Sequence, residues 1–112
     1  LPRLVGSTRA FEIATMAPKI SGRQAFEWGI ANRLAAPEEL DNVVNEIASY
    51  YAQAPTKAIG LMKKMLNKST SSDFESVIDY EAYCQEIAGN SYDNKEGVKA
   101  FIEKRKPQFT GK

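Results

Sequence analysis

The feature that most constrains the fold is a helical repeat of apolar residues, interrupted at short intervals by residues that start or stop helices. The clearest repeat follows Pro37, where apolar side chains recur three and four positions apart and define one face of a helix. That face consists of Leu40, Val43, Val44, Ile47, Ala48 and Tyr51. Prolines, glycines and capping residues divide the chain into about six helices, with at most one short strand near residues 30–35. The sequence therefore predicts a mainly α fold with short connections.

Pairs of polar residues three positions apart predict where two of these helices begin. Ser21 with Gln24, and Ser72 with Glu75, have the spacing of a capping box, in which side chains and backbone N–H groups bond reciprocally. Gly29 is placed to end the helix that Ser21 starts, because glycine readily adopts the left-handed conformation found after helices.

The stretch from residue 91 to residue 109 predicts a final amphipathic helix. Asp93 is the predicted N-cap, and Glu96 is the second half of its capping box. Pro107 stops the helix, and residues 110–112 are predicted to form a loose tail. The apolar stripe of this helix is formed by Val98, Phe101 and Ile102, followed by Arg105.

The basic end of this helix, residues 104–106 beside Phe101, is the strongest indication of a binding site. An aromatic face can stack on a nucleotide base, and neighbouring cations can pair with phosphates. The same residues also suit a purely structural role, with cations that complement the helix dipole and Phe101 in the core. The spacing alone favours neither interpretation.

Several kinds of active site are disfavoured by composition. The chain of 112 residues has no His and one Cys, which leaves no nucleophile with a histidine base and no His/Cys metal cluster. Its seven glycines form no phosphate-binding loop. Cys84 occupies a core position and is predicted to be a buried thiol. Glu81 lies on an apolar stripe, where it is either a proton-transfer group or, as we favour, a carboxylate bonded to a neighbouring helix or cation.

Net charge and hydropathy indicate which classes of partner the chain is not expected to bind. The net charge of +1 gives no electrostatic argument for nucleic-acid binding, and no apolar run is long enough to cross a bilayer. The length allows one small domain with a modest core.

Three runs of the sequence resemble the C-terminal part of the enoyl-CoA hydratase/isomerase family, the crotonase superfamily. Residues 1–7, LPRLVGS, are similar to the segment that follows the active-site helix of the family. Residues 19–33, KISGRQAFEWGIANR, with PEEL at 37–40, resemble its I-S-A-x-x-A-x-x-x-G-L-V-N/D stretch. Residues 93–111 resemble its terminal D-x-x-E-G-x-x-A-F-x-E-K-R-x-P-x-F-x-G signature. The resemblance extends over essentially the whole chain.

This resemblance implies a fold, and it implies that the catalytic groups and the helical region belong to different parts of that fold. Residues 1–112 would be the C-terminal helical and oligomerisation region of a crotonase-like fold, with the N-terminal spiral of ββα units absent from this chain. In the family that spiral supplies two N–H groups that stabilise an enolate oxygen, and the hydratases add two glutamates. These groups would lie upstream of Leu1, so no catalytic residue and no metal ligand is assigned to this chain.

The resemblance also implies a substrate and partners. Lys104 and Phe101 match positions that approach the phosphates and adenine of coenzyme A. The expected activity of the parent protein is enoyl-CoA hydration, with no covalently bound cofactor, a coenzyme A thioester as substrate, and assembly into trimers or dimers of trimers. The expected location is the cytoplasm, or the mitochondrial matrix in a eukaryote. Three alternatives remain. The parent protein could isomerise a double bond or catalyse some other enolate-stabilising reaction, or the chain could be a non-catalytic helical interaction module.

Overall fold

The computed structural model describes residues 1–112 and contains seven α-helices and no strand. The helices are α1 (Pro2–Val5), α2 (Ser7–Met16), α3 (Gly22–Glu27), α4 (Leu40–Ala52), α5 (Thr56–Ser69), α6 (Phe74–Gly89) and α7 (Tyr92–Ile102). A 3₁₀ turn, Pro37–Glu39, leads into α4. The predicted mainly α fold is confirmed, and residues 30–35 form no strand. The chain divides into two compact units, Leu1–Val43 and Val44–Lys112.

In the first unit, α1 contacts α2, and α3 has the caps that the sequence predicts. The Ser21 hydroxyl accepts the Gln24 N–H at 3.2 Å, while the Gln24 side chain accepts the Ser21 N–H at 3.0 Å. Gly29 is left-handed, with φ of 71°, and the N–H groups of Gly29 and Ile30 bond back to the carbonyls of Phe26 and Ala25. These two bonds form a Schellman motif, which satisfies carbonyls that the helix end would otherwise leave free.

In the second unit, α5 packs against α6, and α6 contacts α7. Cys84 on α6 is only 2% exposed, which confirms the predicted buried thiol. The ammonium of Lys68 on α5 lies 4.4 Å from the ring centroid of Tyr80 on α6, a cation–π contact between these two helices. The predicted start of α6 is wrong by one residue, because Asp73 and not Ser72 accepts the Ser76 N–H, at 2.8 Å.

Many large apolar side chains are exposed. In the first unit these include Phe11 and Met16, and in the second unit Leu66, Phe74 and Phe101. The buried apolar residues are small: Ala10, Ala54, Cys84 and Ala100. The helices therefore have the apolar faces that the sequence predicts, but this chain by itself leaves much of them uncovered, and such faces mark interaction surfaces. No helix is sufficiently long and apolar to span a membrane.

Candidate functional site

The candidate site lies on α7 and the segment that follows it, and it begins with a different cap from the predicted one. The Ser91 hydroxyl accepts the Asn94 N–H at 3.1 Å and donates to the Ala88 carbonyl at 2.6 Å. Ser91 is therefore the N-cap of α7, and the prediction that Asp93 and Glu96 form a capping box is wrong. Because Asp93 and Glu96 are three residues apart, they lie on one face of the helix, where both are buried.

The buried carboxylate of Asp93 binds the C-terminal residues. Its Oδ1 accepts the Thr110 N–H at 2.7 Å and the Thr110 hydroxyl at 3.3 Å, and its Oδ2 accepts the Gly111 N–H at 2.8 Å. The Asp93 N–H donates to the Lys112 carbonyl at 3.2 Å. The prediction of a loose tail at residues 110–112 is therefore wrong, because a side chain with 3% exposure holds it against the first turn of α7.

The carboxylate of Glu96 holds the segment just after the helix. Arg105 approaches it with two nitrogens, Nη1 to Oε1 at 2.6 Å and Nη2 to Oε2 at 2.9 Å. The Gln108 N–H adds a bond of 2.8 Å to Oε1. These hydrogen bonds, first that of Arg105 and then that of Gln108, lower the pKa of Glu96 to about 2. Arg105 therefore does not continue the apolar stripe of the helix; its guanidinium forms a partly buried ion pair with Glu96.

Lys104 occupies an unusual backbone position at the end of α7. Its φ is 53°, in the left-handed region, where a non-glycine residue is uncommon. The Lys104 N–H bonds to the Phe101 carbonyl at 3.2 Å, and the Arg105 N–H bonds to the Ala100 carbonyl at 3.0 Å. These two bonds form a Schellman motif, so Lys104 occupies the position where a glycine usually ends a helix.

The cations at this end of α7 differ in what they bind. Lys99 lies 4.0 Å from the Glu103 carboxylate, Arg105 binds Glu96 and Glu103, and the Lys106 ammonium donates to the Gln53 amide oxygen at 3.0 Å. The exposed Lys104 ammonium has no such partner. Of the basic cluster that the sequence predicts, Lys104 is therefore the cation free to bind an anion.

Phe101 is 85% exposed, so the structural interpretation of Phe101 as a core residue does not hold in this chain. Its side chain lines an open apolar groove of about 410 Å³, together with Val98, Gly97 and the ring of Phe109 from the tail. The backbone bond between Lys104 and Phe101 places the free cation at the same helix end as this exposed aromatic ring. The arrangement suits a ligand that combines a flat ring with negative charge.

The contacts of Glu81 differ from those that the preferred interpretation predicts. It lies on α6 beside Met62, Met65 and Leu66, in a groove of about 280 Å³. Its side chain is exposed and forms no ion pair or hydrogen bond within the chain. The preferred interpretation, a carboxylate bonded to a neighbouring helix or to a cation, is therefore wrong within this chain.

The roles of Asp93 and Glu96 are the part of the site that sequence reasoning missed. The sequence pattern predicts both residues as the two halves of a capping box, since acidic residues are common near a helix start. Their partners lie 9 to 18 residues later in the chain. The one available signal is the presence of a serine two residues before Asp93, since serine is itself a good N-cap and would leave the carboxylate for another use.

Comparison with known proteins gives consistent matches. The sequence model of the family described as enoyl-CoA hydratase/isomerase matches residues 1–112. The chain is 38% identical over 112 residues to 1,2-epoxyphenylacetyl-CoA isomerase of Escherichia coli K12, covering 100% of this chain and 43% of that protein. It is 35% identical over 112 residues to crotonyl-CoA hydratase of Syntrophomonas wolfei, again covering 100% of this chain and 43% of the relative.

A solved structure gives the same result for the fold. The enoyl-CoA hydratase of Bacillus anthracis superposes with a TM-score of 0.91 at 30% sequence identity, covering 99% of this chain and 43% of that one. The chain therefore spans less than half the length of the proteins that it matches.

Proposed function

The chain belongs to the enoyl-CoA hydratase/isomerase family, and from this premise we propose that it forms the C-terminal helical region of an acyl-CoA-processing enzyme. The proposed reaction is the addition of water across the 2,3-double bond of an enoyl-CoA thioester. In this proposal the groups that stabilise the enolate and move protons belong to the remainder of the enzyme. Residues 1–112 contribute part of the coenzyme A site and contacts between subunits. The bacterial relatives are consistent with a cytoplasmic enzyme.

The observation that carries the proposed ligand contact is the pairing of a free cation with an exposed aromatic ring at the end of α7. Coenzyme A presents both an adenine ring and phosphate groups. The Lys104 ammonium, which has no partner within the chain, supplies a charge for a phosphate, and the exposed face of Phe101 suits the adenine. Neither of the other side chains of the basic cluster is equally available, since Arg105 binds Glu96 and Lys106 binds Gln53.

The test is Lys104→Ala in the complete enzyme. Loss of a charge-assisted hydrogen bond predicts that coenzyme A binding weakens by about 1–3 kcal/mol. We expect a higher dissociation constant for coenzyme A, measured by titration calorimetry, and a similar rise in KM. We expect little change in kcat, because the phosphates are remote from the reacting thioester.

The matched control is Lys106→Ala, which removes the same charge two residues away. The Lys106 ammonium bonds to Gln53 and is not assigned to the ligand, so its removal should affect binding less. Equal losses from the two variants would indicate a general attraction by the basic cluster and would contradict a specific role for Lys104. An unchanged dissociation constant in Lys104→Ala would refute the proposed contact altogether.

The exposed apolar faces support the second part of the proposal, contacts with the remainder of the enzyme and between its copies. Side chains as large as Phe74 on α6 and Ile102 on α7 are more than 70% exposed, and burial of each would contribute about 1.5–3 kcal/mol. We propose a trimer or a dimer of trimers. Light scattering of the complete enzyme tests this, and a monomeric mass would refute it.

Double-bond isomerisation is a second candidate reaction, and a specific observation favours it. A relative from Streptococcus mutans, 30% identical over 112 residues, is named trans-2-decenoyl-[acyl-carrier-protein] isomerase, which acts on an enoyl thioester, while the S. wolfei relative at 35% is named a hydratase. Supplying the complete enzyme with a 2-enoyl-CoA and a 3-enoyl-CoA separates the two reactions, because only the hydratase forms a 3-hydroxyacyl-CoA from the first. If neither substrate reacts and coenzyme A does not bind, the remaining alternative, a non-catalytic helical interaction module, is favoured.

A further inference from the structure

The left-handed conformation of Lys104 requires support from its surroundings. A left-handed L-residue costs roughly 1–2 kcal/mol relative to the right-handed helical conformation, which is why glycine is usual at this position. The chain nevertheless has a lysine there, with φ of 53°. Backbone outliers of this kind persist where neighbouring contacts hold them in place.

Those contacts are present on both sides of Lys104. Arg105, the next residue, forms the two-pronged ion pair with Glu96 at 2.6 and 2.9 Å. Glu103, the preceding residue, accepts the Arg105 Nε–H at 2.6 Å. The Arg105 guanidinium therefore links both neighbours of Lys104 to the carboxylate of Glu96, a residue that is only 8% exposed.

The tail reinforces the same anchor. Glu96 Oε1 also accepts the Gln108 N–H at 2.8 Å, which fixes the chain two residues beyond Lys106. The backbone on either side of Lys104 is thus held from one point within α7, while the Lys104 side chain itself remains exposed. Fixing the backbone in this way restricts the directions that the ammonium can take.

We propose that Glu96 and Arg105 are positioning residues that set the direction of the Lys104 side chain toward the phosphates of the coenzyme A substrate. This inference rests on the proposed function, since it assigns a cause to the Lys104–phosphate contact. Neither Glu96 nor Arg105 touches the ligand in this arrangement. Their effect on binding passes through the backbone conformation of residue 104.

The experiment is a double-mutant cycle in the complete enzyme, with the dissociation constant for coenzyme A as the readout. Glu96→Gln should weaken binding about tenfold, in the range expected when a charge-assisted bond is lost. Combined with Lys104→Ala, it should cause no further loss, because the cation that it positions is gone. A loss of affinity cannot arise from charge alone, since removing a nearby negative charge would strengthen the attraction for phosphate.

Two further variants keep the test decisive. Arg105→Lys retains the positive charge but cannot form the two-pronged pair, so it should reproduce the loss and serves if Glu96→Gln fails to fold. Glu86→Gln makes the same chemical change on the exposed surface of α6 and should leave binding unchanged. Equal losses from Glu96→Gln with and without Lys104 would overturn the inference, as would no loss in the presence of Lys104.

Failure of the proposed function gives a different result. If Lys104→Ala alone leaves the dissociation constant unchanged, the phosphate contact is wrong. The positioning role is then decided by a crystal structure of the Glu96→Gln enzyme. Departure of residue 104 from the left-handed region would support the role of Glu96 in fixing this backbone, and an unmoved residue 104 would overturn it.

Discussion

Asp93→Asn tests whether a buried carboxylate holds the C-terminal segment against α7. Asp93 offers two acceptor oxygens, and each takes a backbone N–H, from Thr110 at 2.7 Å and from Gly111 at 2.8 Å. Asparagine has the same shape but only one acceptor oxygen. Whichever way its amide is turned, one of the two backbone donors faces an NH₂ group.

The expected loss of free energy in Asp93→Asn follows from the number of acceptor oxygens that remain. Asparagine loses one charge-assisted hydrogen bond and leaves a partly buried donor without an acceptor, which predicts a loss of about 1–3 kcal/mol. The loss should be local, because the segment can detach from α7 without unfolding the remaining helices. At about tenfold per 1.4 kcal/mol, the open form of the segment should be roughly 5 to 150 times more populated.

The assay is hydrogen–deuterium exchange of the complete enzyme, read by mass spectrometry with fragmentation to single residues. We expect faster exchange at the amides of Thr110 and Gly111. The Gln108 amide should change less, because it is bonded to Glu96 and not to Asp93. It therefore serves as an internal reference a few residues away.

Asp73→Asn is the matched control. Asp73 accepts the Ser76 N–H at 2.8 Å as the N-cap of α6, and asparagine caps helices about as well as aspartate. This variant should leave exchange at residues 110 and 111 unchanged. Unaltered exchange in Asp93→Asn itself would refute the idea that the carboxylate secures the tail.

Two predictions concern the other end of the same helix. Because the folded pKa of Glu96 is lowered from 4.5 to about 2, the stability that its ionised form contributes is present above about pH 4.5 and is lost as the pH falls toward 2. In thermal unfolding of wild type and Glu96→Gln across that range, the difference in midpoint should shrink as the pH falls, and a constant difference would contradict this reasoning. Lys104→Gly should raise the unfolding midpoint. Glycine removes the cost of the left-handed conformation, and this gain exceeds the extra conformational entropy that glycine gives the unfolded chain by about 0.5–1 kcal/mol. The same variant should bind coenzyme A as weakly as Lys104→Ala, and a lower midpoint would show that residue 104 is not strained.

Features that depend on residues close together in the chain could be predicted from the sequence. The capping box of Ser21 and Gln24 and the left-handed Gly29 are both found as expected. Each is determined within a few residues, because the donors and acceptors belong to a single helical turn. The positions of most helices follow in the same way from apolar periodicity and from proline and glycine.

Where two capping residues lie close together, local rules could not choose between them. Ser72 and Asp73 are both good caps, as are Ser91 and Asp93, and the prediction chose the wrong member each time. For Asp93 the choice depends on Thr110 and Gly111, which are 17 and 18 residues away. A rule based on spacing within one turn contains no information about that partner.

The prediction of which residues are buried meets a related difficulty. Periodicity predicts that a helix has an apolar face, but it does not say what covers that face. Val98, Phe101 and Ile102 form the predicted stripe on α7, yet all three are more than half exposed. The buried face of the same helix carries Asp93, Glu96 and Ala100 instead, two of which a hydropathy pattern assigns to solvent.

The burial of the carboxylates of α7, with its apolar stripe exposed, determines what holds the candidate site in place. The end of α7 is held by hydrogen bonds and an ion pair within residues 91–112, and not by burial of its apolar stripe. The geometry around Lys104 is therefore established by this segment itself, whatever later covers Phe101. A cation whose backbone is already fixed loses less conformational entropy when it binds a ligand, so more of the interaction appears as affinity. The buried carboxylates thus allow the exposed face to recognise a ligand or another subunit without also having to hold the helix end in place.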